Sequence, residues 1–132
     1  MPPTVTELVV KNYRSFASEV ISFVNPTFLV GHNGAGKSNL AKVFDFVSEA
    51  MGSPLQSVFA QYGGVGRIYT LYGLQSSPRQ IVVSLKMASI SEQVAHARYT
   101  FAIGITSGYG FDVVREQCDV RFSNGERAWF DR

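Results

Sequence analysis

The chain has 132 residues, 45% of them apolar and 13% aromatic, enough to bury the core of one modest domain. Its 12 basic and 10 acidic side chains leave a formal charge of +2, too balanced to select nucleic acid or an acidic membrane by electrostatics alone. One cysteine, Cys118, excludes an internal disulfide and a cysteine-rich zinc site. With no membrane-length apolar run and no signal-type start, a soluble cytoplasmic protein is expected.

Thr4 to Val10 reads as a strand, and Phe16, Val20, Ile21 and Phe23 suggest a second that pairs with it as a hairpin. Asn25-Pro26 marks a turn, and Thr27-Phe28-Leu29-Val30 has the look of a short buried strand entering a glycine-rich loop. After Lys37 the period changes: Leu40, Val43, Phe44, Val47 and then Ala50 or Met51 form one face of a helix that Gly52-Ser53-Pro54 ends. Leu55 to Tyr62 is a second short helix closed by Gly63-Gly64, and residues 65–77 read as loop.

From Gln80 the apolar residues alternate: Ile81, Val83, Leu85 and Met87, then Tyr99, Phe101, Ile103 and Ile105, then Phe111 to Val114 and Val120 to Phe122. Ser107-Gly108-Tyr109-Gly110 and Ser123-Asn124-Gly125 supply turns, so an antiparallel meander is expected, with a further strand in progress at Trp129-Phe130. The chain divides into residues 1–62 around the glycine-rich loop, a connector at 63–79 and the meander at 80–132.

Gly31-His32-Asn33-Gly34-Ala35-Gly36-Lys37-Ser38 fits the pattern Gly, four residues, Gly-Lys-Ser, set between an expected strand and an expected helix. This is the Walker A pattern of a P-loop, an α/β nucleotide-binding fold. The glycines let successive amides point at phosphate oxygens, and the helix N-terminus adds partial positive charge. Lys37 would reach the β- and γ-phosphates, while the Ser38 hydroxyl would hold the Mg²⁺ bridging them, so ATP with Mg²⁺ is the expected ligand. The bland alternative is a glycine-rich turn that only caps the helix.

With Lys11-Asn12-Tyr13-Arg14-Ser15-Phe16 and then Gly31 to Asn39, the sequence resembles the N-terminal end of the SMC- and RecF-like branch of ABC-type ATPases. Tyr62-Gly63-Gly64, the meander and Val113-Val114-Arg115-Glu116 look more narrowly like bacterial AAA-family ATPases. The resemblance implies an ABC-type N-terminal lobe that joins a P-loop core to an antiparallel β-subdomain. It places Asn33 and Asn39 in the nucleotide-binding segment and makes Arg14 a candidate contact to phosphate or adenine, the alternative being a surface arginine in a hairpin loop. It assigns His32 no role.

Gln93 and Gln117 sit in no recognisable γ-phosphate-sensing motif and read as strand residues, and Arg115 with Glu116 reads as a solvated or cross-strand charge pair. No apolar run ends in paired acids, so Asp112 and Asp119 lack a Walker B context, and no Ser-Gly-Gly signature follows. The expectation is the front lobe of an ATPase whose C-terminal lobe lies outside the chain and whose complete form dimerises around ATP. Two further readings are a nucleotide-holding module that regulates or scaffolds a partner, and a P-loop kinase or GTPase, which lacks its specificity segments here. DNA enters as a partner by family analogy only.

Overall fold

The computed structural model of the chain describes residues 4–14, 16–24, 37–68, 79–106 and 110–132, with the side chains of Lys37, Asn39 and Gly66 outside that set. Its elements are β1 (Thr4–Tyr13), β2 (Phe16–Ser22), α1 (Lys37–Gly52), α2 (Leu55–Gln61), a 3-10 turn (Val65–Arg67), β3 (Gln80–Ala88), β4 (Val94–Ile105), β5 (Phe111–Phe122) and β6 (Arg127–Asp131). The result is a mixed α/β architecture on one antiparallel sheet of order β2-β1-β3-β4-β5-β6. The expected strand at Thr27–Val30 and the turn at Ser107–Tyr109 lie outside the described residues.

Strands β1 and β2 form the expected hairpin, with Val9 opposite Val20 and Tyr13 opposite Phe16. Alternation buries Leu8 and Val10 on one face. It would bury Asn12 next, but Asn12 takes a left-handed backbone (φ 57°), a conformation asparagine tolerates, and Tyr13 goes into the core instead. The Asn12 amide donates to the Gln80 carbonyl at 2.8 Å, which ties the displaced corner to the start of β3.

The meander forms as the alternation demands, with Ile81, Val83 and Leu85 of β3 and Phe101 and Ile103 of β4 buried against the helices. Two details differ from expectation. β5 is one unbroken strand rather than two pieces, because Arg115 to Asp119 continue the ladder across from β4. Gln93 lies in the turn between β3 and β4, where its backbone N–H and that of Val94 donate to the Ser91 hydroxyl. The Asn124-Gly125 turn joins β5 to β6 as expected, with Gly125 at φ 91°.

α1 is 16 residues long, about 24 Å at the helical rise. Its buried face is Leu40, Val43, Phe46 and Val47, so Phe46 takes the deep position while Phe44 is only half-buried and Met51 is exposed. Phe46 packs against Tyr13, Phe59, Tyr62 and Phe101 at centroid separations of 5.7 to 6.3 Å. α2 adds Val58 and Phe59, and the expected loop after it contributes Val65 and Ile68, both buried. Across the sheet, Glu7, Lys86, Arg98 and Asp119 stand side by side on neighbouring strands, two cations flanked by two acids, and Glu7 pairs with Arg98 at 3.3 Å. Among the described residues no helix is long and apolar enough to cross a membrane.

Candidate functional site

The glycine-rich motif meets the described structure at the start of α1. Gly31, His32, Asn33, Gly34, Ala35 and Gly36 lie outside the described residues, as do the side chains of Lys37 and Asn39. What is described is the helix that follows: α1 runs from Lys37, so Lys37 and Ser38 belong to its first turn. There the backbone N–H groups lack intrahelical acceptors and carry the positive end of the helix dipole. No acidic side chain stands in that turn to offset it, and Ser38 is exposed.

The sheet fixes this helix end in place. Leu40 and Val43 are buried within its first two turns, and the Tyr13 hydroxyl donates to the Lys42 carbonyl at 3.1 Å. The β1–β2 hairpin and the motif's helix are therefore one packed unit.

Arg14 sits at the hairpin tip with a left-handed backbone (φ 48°). Its backbone N–H donates to the Ile68 carbonyl at 2.6 Å, joining the tip to the segment after α2. The guanidinium carbon lies 5.9 Å from the Tyr13 ring centroid and 5.7 Å from that of Tyr62, within the range of cation–π attraction. Arg14 Nε is buried with no hydrogen-bond partner.

Two carboxylates of α1, Asp45 and Glu49, one turn apart, act on the same two tyrosines. Burial first, then the charge of Glu49 and its hydrogen bond with the phenol, pushes the Tyr62 hydroxyl up to about 12. Burial likewise raises Tyr13, with the hydrogen bond and charge of Arg14 working against it. Glu49 Oε2 is itself buried without a hydrogen-bond partner. Sequence reasoning singled out Arg14 but missed this surround, since Tyr13, Glu49 and Tyr62 belong to three separate elements and share no spacing signal.

The acids and glutamines weighed from the sequence lie elsewhere, in the meander. Glu116 accepts from the Tyr99 hydroxyl at 2.5 Å and from Arg132 Nε at 2.6 Å, and these two bonds hold its carboxyl below the usual range. It is a cross-strand structural acid. Asp119 takes both the Nε and an Nη of Arg127, which holds it low. Gln117 is flanked by Arg115 and Asp131, to which it hydrogen-bonds, and Asp112 is exposed opposite Gly104. Among the described residues no group of three His, Cys, Asp or Glu side chains is placed to hold a metal ion.

An exposed serine on a helix first turn that carries no acidic side chain suits a polyanion that brings its own divalent cation. The fold is thus mixed α/β with a helix N-terminus of the kind that P-loop NTPases present to phosphate. The family model described as an AAA ATPase domain matches residues 4–94, and the chain belongs to that family. Membership implies a nucleotide, usually with Mg²⁺, as the ligand. Comparison with curated proteins and with solved structures gives no match.

Proposed function

We propose that the chain binds Mg·ATP through a Walker A loop at Gly31–Ser38, as the N-terminal lobe of an ABC-type ATPase of the SMC- and RecF-like branch. The observation that carries this is the Gly-Lys-Ser end of the motif running into an anchored helix whose first turn carries no acid. Backbone amides of the glycine-rich loop and of the α1 start bind phosphate oxygens, and Lys37 adds its charge to the β- and γ-phosphates. Ser38 holds the Mg²⁺ that accompanies the nucleotide, and Asn39 lies beside it in the same turn. Arg14 supplies a further contact from the hairpin tip.

The chain's own residues bind and orient nucleotide, and the acid that activates water comes from outside them. Two of the acids of β5 support this division, because Glu116 and Asp119 are committed to Arg132 and Arg127. In the complete machine a C-terminal lobe or a second subunit closes over the nucleotide on dimerisation and supplies the catalytic acids. The same commitment favours a second reading, a module that holds nucleotide without hydrolysing it and reports its presence to a partner.

The test is titration of the purified chain with a fluorescent ATP analogue, with and without Mg²⁺, beside Lys37→Ala, with phosphate release assayed on the same samples. Loss of affinity of roughly tenfold or more in the variant, as expected for a hydrogen-bonded charge, with no phosphate release from either protein, supports nucleotide holding. Equal affinity of folded wild type and Lys37→Ala removes the proposal.

A further inference from the structure

We infer that Tyr62 is a positioning residue for Arg14: its ring, together with that of Tyr13, holds the guanidinium at the hairpin tip in the orientation in which it meets nucleotide. This rests on the proposed role of Arg14 at the nucleotide.

A solvated arginine at a hairpin tip would sample many rotamers, and ordering it at a ligand would cost side-chain entropy. Here three features remove that freedom. The backbone of Arg14 is held by the hydrogen bond to Ile68, its guanidinium lies near the Tyr13 and Tyr62 rings, and its Nε is buried without a competing partner. An arginine held beside aromatic rings rather than in a carboxylate clamp keeps donors for a ligand beyond the bond it makes with the Tyr13 hydroxyl.

Tyr62 is itself fixed. It caps the C-terminus of α2, where the Gly64 N–H donates to Phe59 O at 2.7 Å and the left-handed Gly63 (φ 84°) turns the chain. Its ring packs edge-on against Phe46 at 6.3 Å, and its hydroxyl is engaged by Glu49 of α1. The acids facing the tyrosine pair, Asp45 and Glu49, both come from α1 and favour a cation beside the rings. The helix that opens with Lys37 thus also sets the arginine, through a tyrosine 25 residues beyond that lysine.

The test compares the affinity of the purified chain for a fluorescent Mg·ATP analogue across Arg14→Ala, Tyr62→Leu, Tyr62→Phe, the double variant Arg14→Ala/Tyr62→Leu, and Lys37→Ala. Leucine keeps apolar bulk beside Phe46 but has no ring face; phenylalanine keeps the face and loses only the hydroxyl. Tyr62→Leu is expected to weaken binding roughly fivefold, Tyr62→Phe to restore it to within about twofold, and the double variant to bind no worse than Arg14→Ala alone. Additive losses in the double variant, or wild-type affinity in Tyr62→Leu, overturn the inference. If Lys37→Ala abolishes binding while Arg14→Ala leaves it intact, the P-loop proposal stands and the Arg14–Tyr62 assignment falls; if Lys37→Ala changes nothing, both fall.

Discussion

The Tyr13 hydroxyl reaches across from the end of β1 to the carbonyl oxygen of Lys42, 3.1 Å away in the second turn of α1. Tyr13→Phe removes this bond and leaves the ring beside Phe46 and Arg14 in place. The expected cost is about 1 kcal/mol of stability, because the Lys42 carbonyl keeps its place in the helix ladder. Urea unfolding of the variant against wild type measures it, with an unchanged m-value showing that the rest of the fold is intact.

Phe46 is fully buried and meets four other aromatic rings, whereas Phe44, two residues earlier, is half-buried against Phe23. Phe46→Ala is expected to cost about 3–5 kcal/mol, by lost burial and the cavity left behind. Phe44→Ala should cost clearly less. Thermal melts of the two variants side by side give the ranking, and a larger loss in Phe44→Ala would contradict the placement of the helix.

Glu116→Gln should scarcely affect stability. The Arg132 side chain in its ion pair is 79% exposed, and exposed pairs contribute under about 1 kcal/mol. The Tyr99 hydroxyl can still donate to the amide oxygen. Nucleotide titration of this variant should overlay wild type, and a large loss of affinity would mean that Glu116 reaches the nucleotide after all.

In alkali the tyrosines should govern stability. Tyr62 and Tyr99 are both pushed up to about 12, so the folded state keeps their protons over a range where the unfolded chain, near 10, releases them. The sign follows from linkage: their contribution is complete below about pH 10 and is lost as pH rises to about 12. Tyr62→Phe should flatten that decline, which denaturant midpoints between pH 9 and 12 would read. An identical slope in the variant would show that Tyr62 titrates normally.

The hairpin, both helices and the meander were legible in the sequence because each rests on local periodicity or a turn signal. The choice of Phe46 over Phe44 was not, since Val43, Phe44, Phe46 and Val47 give α1 a broad apolar arc and only the ring cluster beneath decides its centre. β5 read as two pieces because Arg115, Glu116 and Gln117 are polar, yet each finds a partner side chain or a place in the β4 ladder. Of the candidate site, the motif and Arg14 were visible, but the approach of the Arg14 guanidinium to the Tyr62 ring joins residues far apart in the chain and needs the packed helices to exist.

The pairing of β1 with β3, Leu8 beside Leu85 and Val10 beside Val83, closes a segment that contains β2, the glycine-rich motif and both helices. Long closures are slow to form, while the β1–β2 and β4–β5 hairpins need only local search. In pulse-labelled hydrogen exchange during refolding, amides of α1 should gain protection after those of β4 and β5. Early protection of α1 would reverse that order. Because the floor beneath α1 is drawn from both sides of this closure, nucleotide competence should arrive as the last event of folding.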